Sequence, residues 1–258
     1  MKNQTTWKWT VAVAAAGAMQ VSGAETDAMR SLSTDRPDTT ESPRTVDKGR
    51  FQIEVEIGSV TVDGGRKSYS LGETNLKCGL DDSTDIQFVL PLYNHIAGGA
   101  EGFGDMQIRV KRNLWGNDSG DTALAVMPYV QLPTASNGIG DDETQGGVII
   151  PLGFEGSGGW SYGVQVQFDL IADPIGSGHN FSFLTSATAA RSLTERLGAF
   201  FEVVAIIGEG TAATSEQYFN SGLTWAVSDT VQLDSGVRIG LSNDAEDFSP
   251  FFGISAKF

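Results

Sequence analysis

Little in this 258-residue chain is equipped for catalysis. His95 and His179 are its only histidines and Cys78 its only cysteine, so no intramolecular disulfide and no thiolate metal site can form. His179, Asn180 and Ser182 are the one grouping with hydrolase-like residue types. They sit at the start of an alternating stretch, where His179 and Asn180, as neighbours, face opposite ways, and no nucleophile elbow surrounds them. The acidic runs Asp141-Asp142-Glu143 and Asp244, Glu246, Asp247 supply oxygen ligands, but their spacing matches no EF-hand-type loop, and they read as solvated loops. No phosphate-cradling loop appears. A formal charge of −15 with no basic cluster excludes nucleic acid as a partner. Neither an enzyme nor a metal or cofactor site is expected.

The remaining charged residues follow a different pattern. Glu54, Glu56, Lys77, Arg109, Lys111, Asp169, Glu202, Asp234 and Arg238 lie on alternating positions opposite apolar side chains. Phe51, Ile53, Val55 and Ile57 oppose Gln52, Glu54 and Glu56; Met106, Ile108 and Val110 oppose Gln107, Arg109 and Lys111. A period of two means strands with one apolar and one polar face. Twelve such stretches are expected near 51–62, 67–80, 84–92, 104–114, 121–132, 145–155, 160–170, 180–191, 197–208, 215–226, 230–240 and 249–258. Those at 121–132 and 197–208 are apolar on both faces, so the pattern does not orient them.

Two things separate a membrane barrel from a soluble sandwich, which also alternates. The links alternate between short turns, such as 81–83 and 192–196, and longer loops rich in Gly, Asp and Asn, such as 93–103 and 133–144, the first hairpin at 63–66 excepted. Outer-membrane barrels have short periplasmic turns and long external loops. The chain also opens like an exported one. Lys2 and Lys8 precede an apolar run, Thr10 to Val21, and Ser22-Gly23-Ala24 forms a cleavage site. That run is too short to span a bilayer as a helix. The expected organisation is a signal peptide at 1–24, a periplasmic or plug-like segment at 25–48, and an all-β, closed antiparallel transmembrane barrel of about twelve strands at 49–258.

On that reading the nine alternating charges face the lumen, either lining a path or pairing with one another to hold the wall. Asp35, Arg36, Asp38 and Glu41 precede the barrel, and Pro and Asx residues there favour a defined backbone over a loose tether. The segment could gate the periplasmic mouth, with Arg36 pairing with Glu54 or Glu56. Trp115, Tyr129, Trp160, Tyr162, Tyr218 and Trp225 fall near strand ends or on outward faces and fit interfacial girdles. At the C-terminus Phe252, Ile254, Ala256 and Phe258 share a face.

The segment Thr34-Asp35-Arg36-Pro37-Asp38-Thr39-Thr40-Glu41-Ser42-Pro43, followed by Thr45-Val46, Gly49, Gln52 and Glu54, resembles the opening of a family of outer-membrane transporters named after the MetA pathway of phenol degradation. Leu76–Leu80 before an Asp-rich turn, Gly102-Phe103-Gly104-Asp105, and Leu132-Pro133-Thr134 extend the resemblance, while Asp47 stands where Pro is usual and Cys78 where a larger residue is common. The resemblance implies a barrel that passes small, aromatic or hydrophobic solutes. Gly253, Ala256 and Phe258 resemble the terminal signal read by the barrel-assembly machinery, from which Phe251 departs because a polar residue is usual there. The expected function is passive passage of a small solute across the outer membrane of a Gram-negative-type bacterium, in contact with its lipids. The alternatives are a sealed barrel with a structural or adhesive role and, third, an outer-wall lipase.

Overall fold

A computed structural model describes residues 29–258, so the expected signal peptide lies outside the described residues. Thirteen strands form one antiparallel sheet: β1 (Phe51–Asp63), β2 (Arg66–Asp81), β3 (Thr84–His95), β4 (Glu101–Gly102), β5 (Met106–Trp115), β6 (Thr122–Leu132), β7 (Gln145–Glu155), β8 (Trp160–Ala172), β9 (His179–Ser192), β10 (Leu197–Gly208), β11 (Thr214–Ser228), β12 (Val231–Gly240) and β13 (Phe248–Lys257). β4 is a two-residue extension of the β3–β5 link, and the other twelve are the expected strands within a few residues of their expected limits. Each pairs with its sequence neighbour, and β1 pairs with β13 from Gln52↔Lys257 to Val62↔Phe248, closing the barrel. Closure leaves no unpaired edge, the condition for strands to stand in hydrocarbon.

The apolar faces point outward. Phe51, Leu170, Phe201, Val203, Trp225 and Phe252 are among the exposed large side chains, whereas Glu54, Lys77, Lys111 and Glu202 on the alternate positions are almost completely buried. A soluble protein could not leave so broad an apolar surface uncovered. The long loops gather at one end and the short turns at the other. The first hairpin joins the long-loop end by two residues alone, Gly64 and Gly65, whose φ values of 53° and 78° suit the tight turn that matches strand twist.

Among the breaks in the regular ladder, three lie within the wall rather than beside a turn. Ile57 and Gly72 fall outside the β1–β2 register, which steps from Glu56↔Glu73 to Gly58↔Leu71, so the faces of both strands are offset beyond that point. On one side of β6 the register stops at Arg109↔Tyr129 and resumes at Arg112↔Val126; on the other it stops at Leu124↔Leu152 and resumes at Met127↔Ile149. Pro128 and Pro151 lie in these gaps and have no N–H to donate.

The structure also orients the two doubly apolar strands. In β6, Ala123, Ala125 and Met127 turn inward, and in β10 Phe200 and Val204 flank inward Glu202. Tyr129 and Tyr218 are thereby corrected from the girdle to the interior. The Tyr129 hydroxyl donates to Asp169 (2.6 Å), and Tyr218 is buried beside Leu184, Val204 and Ala245. Trp115, Trp160, Tyr162 and Trp225 remain at the short-turn end. Trp160 stacks on Tyr162 at 6.2 Å, with the Arg191 guanidinium over its ring.

Candidate functional site

Residues 29–50 contain no helix or strand beyond a single bridge from Lys48 to Gly79, yet 32–47 are buried or half-buried within the closed barrel. A chain without secondary structure carries unpaired N–H groups that must find acceptors when buried. The wall supplies them as side chains. The Glu54 carboxylate accepts from the backbone N–H of Asp35 and Arg36 (3.0 Å each). Across the lumen, Glu202 accepts from Thr39 N–H (2.9 Å), Thr40 N–H (2.7 Å) and the Thr40 hydroxyl (2.7 Å). Glu41 N–H donates to Gln165, Thr45 N–H to Asn117 and Val46 N–H to Asp85. These partners belong to β1, β10, β8, β3 and the β5–β6 turn, so the segment crosses the lumen and is held from several sides at its short-turn end.

Side-chain charges add a second set of ties. Asp35 is buried between two lysines: Lys77 Nζ bridges it to Glu54, and Lys111 Nζ approaches at 2.5 Å. Burial pushes the Asp35 carboxyl up, but Lys111 and Lys77 more than offset this and hold it below the ordinary carboxylate range. Asp35 also accepts from Ser42 N–H (3.0 Å), folding residues 35–42 into a compact loop. Arg36 pairs with Asp234 (2.8 Å) and Glu56 (3.1 Å). Of the two partners expected, Glu56 takes the guanidinium, while Glu54 takes the backbone.

Gly253 and Phe251 of β13 make room for Arg36. A Cβ on Gly253 would lie 2.5 Å from Arg36 Nη2, and Arg36 and Arg238 each stand over the Phe251 ring, at 5.8 and 5.5 Å. Phe251, the departure from the terminal pattern, is thus an inward platform for two cations. Ala256 and Phe258 lie on the opposite, outer face, where Phe258 stacks on Phe51 at 6.3 Å.

Glu41 pairs with Arg109 (2.7 Å) through one oxygen, and its other oxygen is buried with no partner. Burial and the nearby Asp35 raise its carboxyl to about 7, against the pull of Arg109, Lys111 and Lys77. Asp38 is raised well above the ordinary range by burial and by Glu202.

Of the residues expected in the lumen, Glu54, Glu56, Lys77, Arg109, Lys111, Glu202 and Asp234 meet the segment directly. Asp169 does not; it accepts from Tyr129 and Gln167 on the far side of Arg109. Arg238 contributes through Phe251. Sequence reasoning missed Asp85, Gln165, Asn117 and Lys257. Lys257, on the inward phase beside Phe258, ties down the carbonyls of Arg30 and Ser31 and the Asp47 carboxylate (3.1 Å). The alternation of the last strand was the signal that could have found it. His179 bonds the Thr144 carbonyl, Asn180 bonds Thr211, and Ser182 is buried inward, so these three diverge.

Two other stretches singled out in the sequence meet at the long-loop end. Asp105 accepts from the N–H groups of Thr134 and Ala135 (2.8 Å each), and the Thr134 hydroxyl accepts from Met106 N–H.

A closed twelve-strand antiparallel barrel with an apolar outer face and a charged, filled interior defines a β-barrel of the outer-membrane class. The chain belongs to the family described as "Putative MetA-pathway of phenol degradation", whose model matches residues 34–258 and so takes in the lumen-crossing segment. The NanC porin structure shares the fold, with a TM-score of 0.58 at 11% identity over 80% of this chain and all of that one. A loop-deleted OmpT from Vibrio cholerae gives 0.46 at 8% identity, covering 81% and 98% of the two chains. The translocator domain of the autotransporter NalP from Neisseria meningitidis gives 0.43 at 14%, covering 81% and 88%. None of the curated proteins matches the chain.

Proposed function

We propose that this protein is a passive outer-membrane channel for small solutes, exported with a signal peptide at 1–24, in which residues 25–48 act as a plug in the periplasmic mouth of a barrel spanning 49–258. The observation that carries this reading is that wall carboxylates, Glu54 and Glu202 above all, accept hydrogen bonds from the backbone of the segment. A wall built only for stability would pair its charges with one another. Here they are committed to a separable piece of chain. No energy-coupling domain is needed, and the family relationship favours small aromatic or hydrophobic cargo. The lumen residues Glu56, Lys77, Arg109, Lys111, Asp169, Asp234 and Arg238 would then set selectivity once the plug shifts.

The same dense bonding favours a second reading, a permanently sealed barrel with a structural or adhesive role. Conductance of the refolded mature chain in planar bilayers, with and without residues 25–48, separates the two. Stepwise currents that grow on deletion support the channel. Membrane-inserted protein that passes neither ions nor neutral solutes in either form supports the sealed barrel.

A further inference from the structure

The plug is fastened unevenly. Among the described residues it makes no hydrogen bond to β6, and near the end of β7 it makes one ion pair, Arg44 with Glu155 at 3.5 Å, and packs Pro43 against Gly153. The inward faces there are apolar or small: Ala123, Ala125 and Met127 on β6, Ile149, Pro151 and Gly153 on β7. Between this wall and residues 38–44 lies a cavity of about 190 Å³, whose lining includes Ala123, Gly153, Gly163, Thr188, Thr40 and Pro43, and whose rim carries Arg44, Asp121 and Glu155. Directly beyond Ala123 and Ala125, Met127 stands opposite Ile149, and both are buried. Past them the inward row becomes polar again: Tyr129 bonds Asp169, and Gln107 bonds Gln131 (2.8 Å).

We propose that small uncharged solutes cross along this seam between the plug and the β6–β8 wall, with Met127 and Ile149 as its constriction. The proposal rests on the channel reading and adds to it a route that neutral solutes take while the plug stays docked. A hydroxyl-bearing solute meets hydrogen-bonding groups at Tyr129, Gln131 and Gln167, passes an apolar neck, and enters the cavity that leads to the periplasmic rim. An apolar neck sheds water and so turns back ions while admitting neutral molecules. Methionine is suited to such a neck because its unbranched, flexible side chain can reorient. The strand that carries it is unusually free to yield, since Pro128 and Pro151 interrupt the ladder on both sides of Met127. The charged groups of the opposite walls are meanwhile occupied by the plug.

The test is liposome swelling with the full mature chain, using neutral methyl glucoside, anionic glucuronate and cationic glucosamine. Folding is checked for every variant by the heat-dependent gel mobility of intact barrels. Wild type is expected to admit methyl glucoside at least fivefold faster than either charged sugar. Ala123→Phe, which fills the cavity, is expected to cut methyl glucoside entry to under a third. Met127→Ala is expected to raise it at least threefold, and Val204→Ala, on another sector of the wall, to leave it unchanged. Folded Ala123→Phe barrels that admit methyl glucoside at the wild-type rate overturn the route while leaving the channel reading intact. So does a wild type that is closed to all three sugars but opens on deletion of residues 25–48. If neither wild type nor the deleted form passes any sugar or ion, the channel reading itself falls. If Met127→Ala does not fold, Ala123→Phe decides alone.

Discussion

Asp35 and Lys111 meet at 2.5 Å although 76 positions separate them, one on a segment with no secondary structure and the other on an inward face of β5. With Lys77 on the other carboxylate oxygen, this pair is a deeply buried tie between residues 29–50 and the barrel. Asp35→Asn would leave two buried ammonium groups short of one counter-charge. Breaking such a pair costs about 3–5 kcal/mol, here toward the lower figure because Lys77 keeps Glu54. The loss should fall on docking of the segment while the barrel itself stays folded. Trypsin cleavage after Arg44 in membrane-inserted protein is expected to accelerate by at least tenfold, with the barrel fragment intact. An unchanged cleavage rate would show that the pair does not hold the plug. Because the Asp35 carboxyl is held below its ordinary value, its contribution is complete above about pH 4 and fades only as acid protonates it.

Glu202 tests the backbone bonds separately from charge pairing. It accepts three donors from Thr39 and Thr40, and Asn220 Nδ2 donates to it as well (2.7 Å). Glu202→Gln keeps size and one acceptor oxygen but turns an amide N–H toward plug N–H groups. Leaving one or two buried donors unsatisfied costs about 1–3 kcal/mol each. The expected result is faster tryptic cleavage after Arg44 than in wild type. A Glu202→Gln protein as protected as wild type would mean that water replaces the carboxylate without cost.

The fold was legible in the sequence because each wall strand has one face toward hydrocarbon and one toward a polar interior, which writes a period of two into the chain. That argument fails where both faces are apolar. In 121–132 the inward row Ala123, Ala125, Met127 faces the loosely bonded side of the plug and needs no polar group, so residue type does not reveal phase, and Tyr129 was placed outside. In 197–208, Glu202 is the lone inward charge among Phe200, Val204 and Ile206, enough to mark its phase but not its partner. Acids and bases facing inward could be named, but not which of them serve the segment. That depends on reach across the lumen: Asp85, Gln165 and Asn117 are partners because of where residues 41–46 run, which no local spacing encodes.

Glu41 gives docking of the segment a pH dependence opposite in sign to that of Asp35. Its carboxyl, with Asp35, Arg109, Lys111 and Lys77 around it, is raised from an ordinary 4.5 to about 7, so the docked state holds a proton that the released state gives up. That contribution is complete below about pH 4.5 and is lost as pH rises through about 7, a difference of about 3 kcal/mol at most. Docking should therefore loosen between pH 5 and pH 8. The measurement is the rate of plug cleavage, or channel opening, across that interval. Glu41→Gln, which stays neutral, should flatten the profile; a profile as steep as wild type would assign the titration to another group.

Gly253 has two competing explanations, and one double comparison separates them. As part of a terminal assembly signal, it matters during biogenesis whether or not the plug exists. As the floor beneath Arg36, it matters because a Cβ there would lie 2.5 Å from Nη2 and 2.7 Å from Nε of that residue, and 2.6 Å from the Val55 carbonyl oxygen. Gly253→Ala is expected to lower the yield of heat-stable barrel and the urea concentration that unfolds it. Adding Arg36→Ala, or deleting residues 25–48, should recover part of the loss, because the guanidinium is gone. Recovery should stay incomplete, because the Val55 carbonyl belongs to the neighbouring strand and remains. If neither change recovers anything, crowding by Arg36 is not the cost, and the glycine serves the wall or its assembly alone.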